Sequence, residues 1–230
     1  PMYDWPEVRP AMDALWSGLR GALARHGFLP PAVLDRRDDY KAVWHEPRML
    51  LSQTCGYPYW FQLRDAVQVV ATPCYAAPGC AGPSYRSFVL VRRDSPYRRT
   101  TDLRGGVAIA NAEDSQSGYA TFRSLVAPLA DNGRFFRQVK FSGSHRASYR
   151  AVAAGEADAC ATDAVCVALA RRHEKHVIGR LRILAPTPVA PALPFVTAIA
   201  RSADEVRRLR SALDEIMREP KLADARAALF

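Results

Sequence analysis

The sequence predicts an α/β fold in two lobes, and three observations predict it. Strand-like and helix-like segments alternate through most of the chain, the pattern of a largely parallel sheet. The alternation breaks into two blocks at extended stretches near residues 86–93 and 183–190, which read as two crossings between lobes. The last amphipathic segment, residues 203–218, has no strand after it and must pack back on the first block. This divides the chain into one lobe of residues 1–90 plus 187–230 and another of residues 91–186, with a cleft between them.

The elements follow in order. Pro1 to Pro6 read as the end of a strand running into a helix. In residues 7–26, Val8, Met12, Leu15, Trp16, Leu19 and Leu23 recur at spacings of three and four, an apolar helical stripe that Gly27 ends. Residues 67–71 read as a buried strand, Pro73 to Pro83 as a loop by their Pro and Gly content, and Ser87 to Val91 as a strand. A turn at residues 102–106 precedes a short strand at 107–110. Residues 117–130 carry Phe122, Leu125, Val126 and Leu129 at helical spacing. Strands are predicted at 137–141, 158–162, 182–185 and 195–200, and helices at 146–155, 164–172 and 203–218, the last through Val206, Leu209, Leu213 and Ile216.

Composition narrows the function. The 230 residues hold 32 Lys and Arg against 23 Asp and Glu, a net charge of +9. The basic residues come in small groups spread over the whole chain, such as Arg36-Arg37, Arg92-Arg93 and Arg207-Arg208. That is a solvated surface and not a nucleic-acid stripe. No apolar run approaches the roughly 20 residues of a membrane span, and no signal peptide is visible at the start. Cys55, Cys74, Cys80, Cys160 and Cys166 form no CxxC pair and no His/Cys cluster, so no metal site is expected.

Three segments have the residue types of an anion site. Asn111 to Tyr119 lies between a strand and a helix, where backbone N–H groups at the helix start attract negative charge. Ser115 and Ser117 add hydroxyls, and Gly118 permits close approach to the backbone. Either serine also reads as an ordinary helix cap. Ser142-Gly143-Ser144-His145 repeats the arrangement, with His145 a donor whose protonation an anion would tune. Gln53-Thr54-Cys55-Gly56-Tyr57 is a third polar turn. All three would lie at the carboxyl ends of strands, where open α/β sheets bind ligands.

These stretches, with Leu51 to Pro58, Gly79 to Ser87, Asp102 to Gly105 and Ala154 to Asp163, occur in an order that resembles the substrate-binding proteins of phosphate, phosphite and phosphonate ABC transporters. That resemblance implies the type II periplasmic-binding fold with two crossover strands and an interlobe cleft. It implies that Ser115, Gln116, Ser117 and Gly118 hold the oxygens of a small oxyanion, that His145 completes the contacts, and that Tyr85 and Tyr3 reach in from the other lobe. It places Asp163 beside the ligand's far substituent, a position that reads equally as a helix cap, and adds Gln53 and Thr54 to the ligand set. Gln116 departs from the family's serine/threonine run by offering an amide. The resemblance also suggests a Cys55–Cys80 disulfide, with Cys74–Cys80 as the alternative, while Cys160 and Cys166 read as buried apolar residues.

The implied function is capture of a phosphate-like oxyanion without chemistry, cofactor or metal. An ABC-transporter permease is the implied partner, and the binder itself is a monomer without nucleic acid. The location is periplasmic, or cytoplasmic given that no signal segment is visible. The alternatives are an enzyme on the same fold, of the pyrimidine-precursor synthase or dehydratase type, and an intracellular ligand sensor. For an enzyme the only candidate pairs are His145 with Cys55 or with Asp163, and nothing in the spacing ties them together.

Overall fold

The computed structural model describes residues 2–37 and 39–230. In chain order the strands are β1 (Ser52–Gln53), β2 (Val67–Ala71), β3 (Cys80–Ala81), β4 (Ser84–Tyr85), β5 (Ser87–Arg92), β6 (Val107–Ala110), β7 (Gln138–Phe141), β8 (Ala159–Asp163), β9 (Leu181–Pro186), β10 (Ala190–Pro191) and β11 (Phe195–Ala198). The α-helices are α1 (Arg9–Arg25), α2 (Tyr40–Val43), α3 (Gly56–Pro58), α4 (Thr121–Val126), α5 (His145–Ala154), α6 (Ala164–His173), α7 (Lys175–Ile178), α8 (Ala203–Arg218) and α9 (Ala223–Leu229). The chain divides into two compact units, Pro1–Pro73 with Leu193–Phe230, and Cys74–Ala192.

The first unit is built on the antiparallel sheet β1-β11-β2. Alternation along β2 sends Val70 to one face and Val67 to the other. Val70 packs with Leu19 and Leu23 of α1 and Leu209, Leu213 and Ile216 of α8. Val67 packs with Trp44, Met49, Leu63 and Val196. A capping box of Ser202 and Glu205 opens α8. The α9 helix, which carries no periodic signal, buries Ala225 and Leu229. The strand end expected at Pro1 to Pro6 is instead a turn, with Tyr3 at φ 61, running into a 3-10 turn at Pro6–Val8; Pro1 lies outside the described residues.

The second unit holds a five-stranded sheet in the order β7-β6-β8-β5-β9 and a small antiparallel sheet β10-β4-β3. The expectation of largely parallel sheets is corrected here. Only β7-β6 and β6-β8 run parallel, linked through helices; β5 runs antiparallel to both β8 and β9. A helical crossover returns the chain to the same end of the sheet and so gives parallel neighbours, whereas β5 and β9 lie near the points where the chain enters and leaves this unit.

The unit boundaries also differ from the predicted ones, at 73/74 and 192/193 in place of 90/91 and 186/187. The reason is pairing: β5 is bonded to β8 and β9 along its length, and β4 to β10. The core gathers Val89, Val91, Leu103, Phe122, Val126 and Phe135. The single helix expected over 117–130 is a π turn at Gln116–Ala120, then α4, then a 3-10 turn at Ala127–Leu129 that contains Pro128.

All five cysteines carry thiols, so the suggested Cys55–Cys80 and Cys74–Cys80 bridges are not formed. Cys55 belongs to the first unit and Cys80 to the second. Burial, aided by the Asp163 carboxylate, pushes the Cys80 thiol up to about 11, and burial pushes Cys160 up to about 12. The expected result is a count of five thiols in the denatured, unreduced protein. In the native protein at mildly alkaline pH, exposed Cys74 should be alkylated well before Cys80 and Cys160, whose thiolate fractions are small.

Candidate functional site

The site residues of the second unit are placed by strand ends, of which those of β6 and β8 are fully buried. The strand β6 is buried at all four positions and delivers the chain to Asn111 and the turn that follows. Ser115 caps that turn, its hydroxyl accepting from the Gly118 N–H at 3.0 Å. The Ser115 carbonyl accepts from both Tyr119 and Ala120, at 3.2 and 2.9 Å, which widens the first turn to π geometry. The amides of Gln116 and Ser117 occupy the first positions of this turn, where no preceding carbonyl is in line for them.

Each side chain of the turn has a defined neighbour. The Gln116 amide donates to the Tyr85 hydroxyl at 3.2 Å and to the Pro191 carbonyl at 2.8 Å. Ser117 Oγ lies 2.7 Å from His145 Nε2. His145 is the first residue of α5, which Ser144 caps through the Ala147 N–H. Asp163 ends β8, is 2% exposed, caps α6 by accepting from the Cys166 N–H at 2.9 Å, and sets Oδ2 3.3 Å from His145 Nε2.

The Asp163 carboxylate favours one tautomer of His145. A lone pair on Nε2 would face the Asp163 carboxylate, so Nε2 carries the proton and Nδ1 the lone pair. Nδ1 is buried without a hydrogen-bond partner. Burial lowers the His145 pKa against the pull of Asp163, so the ring is neutral at pH 7. With Nε2–H directed at Ser117 Oγ and Asp163, the Ser117 hydroxyl keeps its own proton for another acceptor.

Gly118 is required by space. A Cβ placed there would lie 1.9 Å from Asn111 Oδ1 and 3.1 Å from His145 Cε1. Gly118→Ala should therefore force Asn111 to rotate, lower stability by about 1–3 kcal/mol and weaken ligand binding. Thermal melting paired with calorimetric titration checks both effects, and an unchanged melt would show that Asn111 yields freely.

The structure thus brings together Ser115, Gln116, Ser117, Gly118, Tyr85, His145 and Asp163 in one unit. Tyr85 was expected from the opposite lobe; pairing of β4 with β10 and β3 puts it in the same unit as the serine turn. Tyr3, Gln53 and Thr54 belong to the first unit. There the Gln53 amide donates to the Leu193 carbonyl at 3.1 Å, and fully buried Thr54 donates to the Cys55 carbonyl at 3.3 Å. Two neighbours of the site went unpredicted as members. Asn111 Oδ1 and Ser87 Oγ are buried atoms without partners, and Ser87 pairs in register with Asp163. The position of Asn111 directly after β6 was the available signal; for Ser87 only the pairing reveals it.

Such a unit, with hydroxyl, amide and imidazole donors gathered at strand ends, has the make-up of a small-ligand binding protein. The family model for "ABC transporter, phosphonate, periplasmic substrate-binding protein" matches residues 49–229, and the chain belongs to that family of solute-binding proteins. No curated protein sequence matched the chain.

Solved structures agree on the fold. A Xanthomonas citri protein bound to ATP is similar at TM-score 0.71 and 18% identity, over 97% of this chain and 85% of that one. The binding-protein component of an ABC phosphonate transporter from Pseudomonas aeruginosa gives 0.72 and 16%, over 94% and 73%. PhnD1 of Prochlorococcus marinus, in complex with methylphosphonate, gives 0.69 and 15%, over 90% and 79%. The fold is the type II periplasmic-binding-protein fold.

Proposed function

We propose that this protein captures a small phosphate-like oxyanion (a phosphonate, phosphite or phosphate) at the turn Ser115–Gly118, releases it unchanged, and serves an ABC-transporter permease in the periplasm. The observation that carries this reading is the Ser117 hydroxyl. The protonated Nε2 of His145 lies 2.7 Å from its oxygen, so its proton is left to donate. Around it stand the first amides of the π turn and the Tyr85 phenol held by Gln116. Hydrogen bonds to a charged oxyanion are stronger than those to a neutral acceptor. The net charge of +9 raises the local anion concentration without choosing the ligand.

The enzyme alternative gains a Ser117-His145-Asp163 constellation but not its function. A relay needs the serine and the carboxylate on opposite ring nitrogens, so that the base can accept the hydroxyl proton. Here both face Nε2, and the nitrogen opposite is unpartnered. His145 therefore has no lone pair aimed at Ser117, and binding without chemistry is the better reading.

Calorimetric titration with phosphate, phosphite and methylphosphonate tests the proposal. Saturable binding of at least one is expected, with the ligand recovered unaltered. Binding of none would overturn it.

A further inference from the structure

The end of the second unit's large sheet remote from the serine turn carries a cluster of arginines. The strand β5 starts at Ser87, opposite Asp163, and ends at Arg92, roughly 17 Å further along. There Arg92 pairs in register with Leu181 of β9, and the Arg93 N–H donates to the Arg180 carbonyl at 2.8 Å. Strand pairing thus sets Arg92 and Arg93 beside Arg180 and Arg182, which are far from them in the chain. Arg92, Arg93, Asp94 and Arg180 line one cavity of about 290 Å³. Three guanidiniums share it with a single carboxylate.

The cluster is held in place and its charge is not balanced. Arg92 Nε donates to Asp94 Oδ1 at 2.9 Å. Arg93 Nε donates to the Gly179 carbonyl at 2.9 Å, and its Nη2 to the Leu181 carbonyl at 3.3 Å. Those acceptors are neutral, so the charge of Arg93 has no carboxylate against it. Among the described residues the exposed Arg180 side chain makes no hydrogen bond and no ion pair, although its charge reaches Asp94. The crowding is felt next door: burial, and then the charges of Arg98 and Arg93, hold the Arg182 guanidinium below its ordinary value. A bound anion relieves such repulsion.

The cavity limits what that anion is. Its volume lies near the lower bound of small-ligand sites, about 300 Å³, so it suits a compact ligand and not a nucleic-acid strand. The exposed large apolar side chains lie outside residues 92–99 and 178–183, so a membrane surface would find charge here and nothing to insert. Guanidinium forks match the paired oxygens of phosphate groups, and several of them favour several charges. The geometry points to a second anion site at this end of the sheet, taking a soluble phosphate anion of the pyrophosphate class, with Arg92, Arg93 and Arg180 as its donors. This site is separate from the serine turn and does not depend on the function proposed for that turn.

The test is calorimetric titration of pyrophosphate at pH 7, with methylphosphonate in excess to fill the serine turn. Sodium chloride at about 0.15 M screens scattered surface charge beyond about 8 Å. The proteins are the wild type, Arg180→Ala and Arg180→Glu; position 180 is exposed and unpartnered, so both variants should melt like the wild type. Wild type should bind one pyrophosphate. Arg180→Ala should weaken that binding about tenfold and Arg180→Glu further, with methylphosphonate affinity, titrated separately, unchanged in both. Flotation with phosphatidylcholine vesicles, with and without phosphatidylglycerol, tests the lipid source, and no binding to either is expected. Wild type that binds no pyrophosphate under these conditions, or binds it as Arg180→Glu does, overturns the site. Capture by the anionic vesicles without pyrophosphate binding assigns the cluster to a membrane surface and overturns the soluble ligand.

Discussion

Ser117→Ala is expected to weaken oxyanion binding by roughly 10- to 150-fold, equivalent to about 1.5–3 kcal/mol, while leaving the melting temperature nearly unchanged. The hydroxyl is 3% exposed as a residue, sits 2.7 Å from His145 Nε2, and is not the cap of its helix. On the proposed reading its removal takes away a ligand donor, and His145 keeps Asp163 as a partner. Ser115→Ala is the internal comparison. The Ser115 hydroxyl holds the Gly118 N–H, so its loss should lower stability by about 1 kcal/mol in addition to any effect on binding. Titration and thermal melting on the two variants separate a donor from a cap. If Ser117→Ala binds like the wild type, the anion is held elsewhere.

Glu174→Ala should destabilise the protein by about 3 kcal/mol. Glu174 is 2% exposed at the end of α6 and accepts from Arg146 Nε at 2.8 Å, from fully buried Tyr149 and from Arg150. Its loss leaves the Tyr149 hydroxyl without this acceptor and takes this carboxylate from the partly buried Arg146. Arg150 is half-exposed, and water compensates most of its share. Burial raises the Glu174 carboxyl, but the hydrogen bonds from Arg150, Tyr149 and Arg146 outweigh it, so the pKa falls below the ordinary value of about 4.5.

The sign of the pH effect follows. A carboxyl whose folded pKa is depressed stabilises the fold fully above its unfolded pKa and loses that contribution as pH falls through the folded value. His145, also depressed, adds a loss that begins as pH drops below about 6.5. Stability should decline in two stages, first below about pH 6.5 and then below about pH 4.5. Glu174→Ala should shrink the second stage and leave the first unchanged, the remainder coming from the other depressed carboxyls, Asp35, Asp94, Asp102 and Glu205. Denaturant titrations at successive pH values measure both, and an unchanged acid limb in the variant would rule out Glu174 as its source.

Much of the fold was legible because the periodic patterns are local. The apolar stripes of α1 and α8 and the short runs at β2, β5, β6 and β8 carry their periods in consecutive residues. The candidate site could be proposed from sequence where chemistry and local order coincide: Ser115 to Gly118 after β6, His145 at the start of α5, and Asp163 at the end of β8. Elements without a period, such as α9 and the π turns at Tyr59–Leu63 and Gln116–Ala120, were not, because hydrogen-bond register leaves no mark in residue type.

The sequence alone determined the α/β class, the order of its periodic elements, the family motifs and most of the residues that crowd the serine turn. Only the tertiary structure decided strand direction, the boundaries of the two units, and the unit to which Tyr85 belongs. It also decided which nitrogen of His145 faces Ser117 and Asp163. The physical reason is that strand pairing and side-chain convergence join residues far apart in the chain. Ser87 meets Asp163, and Gln116 meets Tyr85 and Pro191, through contacts that no local window contains.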